Sequence, residues 1–247
     1  GVNQMFFATP VFASEAAAHG AEHGHGALFS IFGLEVSSVV TTMWGLMLIL
    51  LVLSYFATRK VELVPVNKLQ NMLELAVEML LGQLSGIMGS EKNAKRYFPL
   101  LGSFFFLILI SNYSGLLPGA GHIPGLQAPT STLSVTAGLA IVVFFATHFF
   151  GVKTKGIKYF KHFIEPIPFL LPLNLIEEFV KPLSLSLRLY GNIYGEEMVL
   201  LSFAALIPLF LPLPMMFLSL LFGFIQAFVF TMLAALYIGT STAEHHH

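Results

Sequence analysis

Residues 36–58 read VSSVVTTMWGLMLILLVLSYFAT and carry no charged side chain. A helix needs about 20 mainly apolar residues to cross a hydrocarbon core about 30 Å thick. Within lipid, only helices and closed barrels satisfy every backbone N–H and C=O. This run therefore predicts a membrane-crossing helix, and Arg59 and Lys60 follow it at once. The whole chain answers to the same constraint. Hydrophobic residues make up 56% and charged residues 10%, against about 25% charged in soluble domains. Cysteine is absent, which excludes disulfides, zinc thiolates and thiol catalysis. All 13 acidic residues are Glu and the net charge is −1, which argues against a nucleic-acid partner.

Two more spans follow. Residues 97–119 form the second, closed by Asn112 and the GLLPG segment, and residues 133–150 form a shorter third ending near His148. Residues 120–132 are rich in Gly, Pro, Ser and Thr and read as a loop. Residues 66–90 differ. Leu69, Met72, Leu73, Ala76, Val77, Leu80, Leu81 and Leu84 recur at helical spacing, with Lys68, Glu74, Glu78 and Gln83 between them. That is an amphipathic helix, lying in the membrane interface or packed on other helices.

Basic loops mark the cytoplasmic side. Of the 12 Lys and Arg, six lie between Arg59 and Arg96 and four between Lys153 and Lys161; only Lys181 and Arg188 remain. Both basic loops are therefore assigned inside, with residues 1–35 as an extracytoplasmic tail and 36–247 as one transmembrane helical domain. The stretch FFATPVFASEA reads either as a signal-peptide remnant or as uncut tail. His19, His23 and His25 offer loose metal ligands or simply a solvated segment.

From about Asn174 to Ile207 a helical pattern runs for over thirty residues, interrupted by Pro182. Pro208, Pro212 and Pro214 then break the chain, and a second apolar helix runs from about Met215 to Tyr237. At 1.5 Å per residue the first arm is about 50 Å long, so it tilts, kinks or projects from the bilayer. The expected fold is an all-α integral membrane protein. It has about five crossings plus one interfacial amphipathic helix, and the last two crossings form a long tilted hairpin.

The first arm holds six ionisable side chains: Glu177, Glu178, Lys181, Arg188, Glu196 and Glu197. Each charge at membrane depth costs about 2.5–3.5 kcal/mol on insertion scales, so such residues are functional candidates. Glu177, Lys181, Ser184, Arg188 and Asn192 step by four, three, four and four along one face. Glu177 and Lys181 can pair at i,i+4, whereas Arg188 has no acid one turn away. On the second arm Ser219, Gln226 and Tyr237 share a face, and Gln226 either approaches Arg188 or bonds between helices. Arginine does not deprotonate in proteins, so it serves as a fixed cation where lysine would leak protons. The plainer reading of Arg188 is a tie between helices or to a lipid headgroup.

The string KPLSLSLRLYGNIYGEEMV at 181–199 closely resembles the subunit a signature of F-type ATP synthases. NLIEEF at 174–179, SNYSGLLPG at 111–119 and IQAFVFTMLAALYIG at 225–239 are similar to it in the same order, so the likeness covers most of residues 66–244. The resemblance implies an ion-conducting stator with two offset half-channels and no catalytic site of its own. It implies c-ring and b-type peripheral-stalk partners, no cofactor, and H+ as the translocated ion with Na+ as alternative. It places the chain in a bacterial plasma membrane, with the thylakoid membrane as alternative. Arg188 matches the essential arginine facing the rotor carboxylate. Asn192 and Gln226 match polar residues beside it, and Glu197 matches the carboxylate of the proton inlet. Glu196 sits where other members have Asp or Gly, and either Glu177 or Glu178 matches the acid near the opposite half-channel.

The chain departs from the family at Ser219, where some members carry His, and at Thr132 and Ser134, where Asp and Asn are frequent. The inlet is then expected to rely on Glu196, Glu197 and water, with His148 and His122 as substitutes. The terminal EHHH resembles natural family endings and equally a shortened tag. No GxxxxGK[ST] pattern is present, so no nucleotide site is expected. A secondary transporter with a midplane site is the second hypothesis, weakened by the lack of internal repeats. A purely structural membrane subunit is the third.

Overall fold

The computed structural model of the chain describes residues 27–31, 34–58, 68–116, 128–156, 159, 171–206 and 212–243. The histidines at 19, 23, 25 and 122 and the stretch FFATPVFASEA lie outside these residues. Two short strands, β1 (Ala27–Ile31) and β2 (Leu34–Ser37), pair antiparallel with Ala27 opposite Ser37 and Ile31 opposite Leu34. This ribbon was not expected within a tail ending at residue 35. The described elements after it are helices: α1 (Ser38–Thr58), α2 (Lys68–Met88), α3 (Glu91–Ser114), a 3-10 turn (Pro129–Ser131), α4 (Leu133–Lys155), α5 (Leu171–Leu206) and α6 (Pro212–Thr242).

Among the described residues, four helices are long and apolar enough to cross a membrane: Ser38–Phe56 within α1, then α3, α4 and α6. Apart from that short ribbon, the chain is an all-α integral membrane protein. The α5 helix has the length to cross, at 36 residues or about 54 Å, and its six charges set it apart from those four.

Several boundaries depart from the sequence reading, each for a local reason. The α3 helix begins six residues before 97, because its first two turns are polar and carry the Glu91–Lys95 pair at 2.6 Å. The α4 helix runs to Lys155, where Lys153 and Lys155 complement its C-terminal dipole and Gly156 at φ 59° ends it. Pro212 and Pro214 sit in the first turn of α6, where backbone N–H groups have no helical partner to lose. Pro182 does not interrupt α5, nor Pro99 α3. Prolines survive inside membrane helices when neighbours re-satisfy the freed groups, and the turn at Pro182 borders a small space described below.

Contacts fix the helix directions. Asn112 meets Gly223 while Phe104 meets Phe230, so α3 and α6 run antiparallel. Thr136 meets Ser186 and His148 meets Glu178, so α4 and α5 do too. Lipid is as apolar as leucine, so these helices associate through packing and interhelical hydrogen bonds rather than burial from water. The α6 seam shows this in its small residues: Ala227, Ala234 and Ala235 are fully buried, and a Cβ on Gly223 would lie 3.3 Å from Asn112. The α2 helix packs through Leu80 and Leu84, both 0% exposed, and leaves Met72, Leu75 and Met79 outward. It thus has both a packed face and an exposed apolar face. The α1 helix keeps Trp44, Leu48, Leu51 and Phe56 exposed, as a lipid-facing helix must.

Candidate functional site: two polar cavities and an exposed arginine

The α5–α6 hairpin carries polar groups at both ends and a single cation between them. At the end near the 3-10 turn, Glu196 and Glu197 of α5 line a cavity of ≈ 40 Å³ with Asn112, Gly115, Ala128 and Ser219. Ser219 is 4% exposed and lines this cavity together with Glu196. Glu196 and Ser219 also border a second cavity of ≈ 440 Å³, which reaches Gly191, Asn192, Gly195 and Gln226. The two spaces share those walls, so polar groups continue from the 3-10 turn to the middle of the hairpin. There Asn192 Nδ2 donates to Gln226 Oε1 at 2.7 Å. Gln226 is 4% exposed, and its Nε2 has no partner among the described residues. Sequence spacing brought Gln226 toward the Arg188 stripe, and the hydrogen bond found is to Asn192 on that stripe.

At the end that carries Lys153 and Lys155, a cavity of ≈ 420 Å³ is lined by Glu177, Glu178, Lys181, Tyr237, Thr147 and Tyr159. Lys181 Nζ lies 2.6 Å from Glu178 Oε1 and 3.3 Å from Glu177 Oε1. The expected i,i+4 pair is present, and the i,i+3 pair is shorter. Glu178 is the more enclosed acid, with its side chain 20% exposed against 64% for Glu177. Deeper in, a space of ≈ 10 Å³ is bounded by Glu178, Lys181, Pro182, His148, Phe144 and Tyr237. His148 Nε2 is 3.8 Å from Glu178 Oε2 and its Nδ1 is 2.8 Å from the Phe144 carbonyl oxygen. The sequence reading put His148 with Glu196 and Glu197. It stands at the opposite end, because α4 runs antiparallel to α5 and brings residue 148 level with residue 178.

Arg188 lies between these two regions. Along α5 it is ten residues from Glu178 and eight from Glu196, which is about 15 and 12 Å of helix rise. Its side chain is exposed on the surface of the chain and forms no ion pair or hydrogen bond among the described residues. Gly191 beside it faces open space. Ser184 shares the stripe but lines none of these cavities; the neighbouring Ser186 is buried against Thr136 at 3.2 Å instead.

Sequence reasoning missed three participants. Asn112, 5% exposed, donates to Gly223 O at 3.0 Å and accepts from Thr130 Oγ1 at 2.8 Å, clamping α3, α6 and the 3-10 turn beside Glu196. Its signal was the polar run SNYSG at the end of an apolar span. Thr130, rather than Thr132 or Ser134, supplies the buried polar contact of that segment. Tyr159 packs on Gly151, where a Cβ would come within 2.5 Å of the ring. Burial, with the Glu178 carboxylate nearby, pushes its phenol up to about 12. No sequence pattern marks it. Among the described residues, no group of three His or Glu side chains stands together as a metal site.

A family model described as ATP synthase A chain matches residues 40–239. The chain is 42% identical over 219 residues to the ATP synthase subunit a of Moorella thermoacetica, covering 88% of this chain and 96% of that one. It is 43% identical over 211 residues to ATP synthase subunit a 2 of Syntrophotalea carbinolica, covering 84% and 86%. With the Geobacter sulfurreducens ATP synthase subunit a it shares 40% over 214 residues, covering 85% and 90%.

Proposed function

Because this chain belongs to the ATP synthase A chain family, and so is a membrane component of a proton-translocating ATP synthase, we propose that it is the stator that conducts protons to and from a rotating ring. The observation that carries the reading is Arg188. It is a permanent cation, exposed on the α5 face, with no carboxylate of its own chain among the described residues, and it separates two polar regions at opposite ends of one hairpin.

In this reading Arg188 meets a carboxylate of the ring. Two unit charges 4 Å apart attract by about 4 kcal/mol at an effective dielectric constant of 20. That is roughly three powers of ten in proton affinity, enough to discharge a protonated carboxylate as it arrives. Glu196, Glu197, Asn192 and Gln226 carry protons in from the 3-10 turn side. Glu178, supported by Lys181 and Glu177, carries them out at the basic, cytoplasmic end. Arg188 between them repels a proton that would cross directly. Each proton passing down a 100 mV potential yields about 2.3 kcal/mol for rotation. The partners are the ring subunits on the Arg188 face and b-type stalk subunits elsewhere. The bacterial sources of the relatives support the reading of a bacterial plasma membrane.

The chain lacks Cys, so a disulfide scan tests the ring contact cleanly. A cysteine at Gly191, which faces open space, should cross-link on mild oxidation to a ring cysteine placed beside the rotor carboxylate. A cysteine at Leu185, 1% exposed, should not. No cross-link from residue 191 in an assembled complex would overturn the reading.

A further inference from the structure

We propose that the cytoplasmic ends of α3 and α4 form a docking surface for an anionic phospholipid, in which Arg96 and Lys153 meet the phosphate level and the outer face of α4 carries an acyl chain. The inference goes beyond the stator reading and does not depend on it. It starts from a row of rings. Arg96 Cζ lies 5.7 Å from the centroid of the Tyr97 ring. Tyr97 packs edge-on against Phe150 of α4, with centroids 4.8 Å apart, and Phe150 packs against Phe149 at 5.5 Å. Lys153 Nζ lies 5.8 Å from the Phe149 centroid. One cation therefore stands at each end of an aromatic row that bridges two helices. Tyr97 is 2% exposed, so the row is anchored in the core.

Depth and charge select the ligand. The apolar runs of these two spans stop at residues 97 and 150, so Arg96 and Lys153 stand just beyond them, at the headgroup level of one leaflet. Both side chains are exposed, and neither forms an ion pair among the described residues. The acid nearest in sequence, Glu91, is held by Lys95 at 2.6 Å, and Glu177 and Glu178 are held by Lys181. An arginine fork matches phosphate oxygens two at a time, and lysine adds a compact charge. From Lys153 into the bilayer, Phe149, Phe145 and Val142 follow along α4 at steps of four, four and three, and are 62%, 65% and 49% exposed. That lane rises about 16 Å, close to the depth of one leaflet of a hydrocarbon core about 30 Å thick.

A phospholipid presents a phosphate and then an acyl chain in this order and over this span. A choline or ethanolamine headgroup also carries its own cation, which Arg96 and Lys153 repel. A phosphatidylglycerol headgroup carries none. Each basic side chain beside an anionic lipid surface is worth about a fivefold preference, so two predict one on the order of tenfold or more.

The test uses the full chain, which lacks Cys, with Phe145→Cys carrying a fluorescent label, in vesicles of phosphatidylcholine and phosphatidylglycerol. Bromine on the acyl chains of one lipid or the other quenches a label that it touches. Brominated phosphatidylglycerol should reach half-maximal quenching at a mole fraction on the order of tenfold below that of brominated phosphatidylcholine. Arg96→Gln with Lys153→Gln should remove that difference. Lys92→Gln with Lys95→Gln deletes the same charge from the same end of α3 and should keep most of it. Helical circular dichroism shows that each variant is folded. Equal quenching by the two lipids in the labelled chain, which needs no further variant, means ordinary annular lipid and overturns the proposal. So does quenching by neither, as when a second copy of the chain covers the lane. Equal loss in the two double variants overturns it too, because that is general attraction to a basic surface.

Discussion

Replacing Asn112 by Ala probes the clamp that holds α3, α6 and the 3-10 turn together beside Glu196. The amide donates to Gly223 O at 3.0 Å and accepts from Thr130 Oγ1 at 2.8 Å. The Gly223 carbonyl lies inside α6 and keeps its helical partner, so that loss is the net worth of one membrane hydrogen bond, about 0.6–1 kcal/mol. The Thr130 hydroxyl fares worse. Thr130 is 0% exposed, and a buried hydroxyl stripped of its partner costs about 1–3 kcal/mol. Asn112→Ala should therefore destabilise by about 2–4 kcal/mol, and Thr130→Val by about 1 kcal/mol. The double variant should cost little more than Asn112→Ala alone, because the Thr130 loss is already counted in it. Equilibrium unfolding of the detergent-solubilised chain in rising dodecyl sulfate, followed by helical circular dichroism, measures all three. A cost below about 0.5 kcal/mol for Asn112→Ala, or strict additivity in the double variant, would refute the clamp.

Further outcomes follow from the same geometry. Gly151→Ala should destabilise by about 1–3 kcal/mol, since its Cβ would meet the Tyr159 ring at 2.5 Å; thermal unfolding checks this, and adding Tyr159→Ala should recover most of the loss. The Tyr159 phenol titrates near 12, above its ordinary 10, so the stability it lends is complete below pH 10 and fades as pH rises through 12. Tyr159→Phe should lack that decline, and the 295 nm difference titration should place this phenol's ionisation near 12. Asn192→Leu breaks the 2.7 Å bond to Gln226 and should slow proton pumping severalfold in a complex that still assembles. Glu178→Gln should impair pumping far more than Glu177→Gln, because of the two acids only Glu178 borders both the inner and outer spaces at the basic end.

The parts of this molecule that were legible in sequence are those that repeat. Helix positions followed from apolar runs of bilayer length, and the α5 stripe followed from steps of three and four residues. The pairing of Lys181 with an acid followed from the same spacing, as did the shared face of Ser219, Gln226 and Tyr237. What stayed hidden depends on the register between helices. Nothing local says that residue 148 falls level with residue 178, so His148 was assigned to the wrong end. Nothing in KYF says that Tyr159 covers Gly151. Pro182 was read as an interruption of the α5 pattern because propensity in water counts the lost hydrogen bond, while inside a bundle neighbours can answer for it. Which of Glu177 and Glu178 is enclosed likewise depends on the packing around α5, which covers Glu178 and leaves Glu177 exposed.

The central claim is that a fixed positive side chain on the α5 surface governs proton release from a neighbouring rotor, and Arg188→Ala measures it most directly. In sealed vesicles carrying the whole synthase, the variant should assemble with its ring and lose both ATP-driven pumping and proton-driven ATP synthesis. Full coupled proton flow in an assembled Arg188→Ala complex would contradict it.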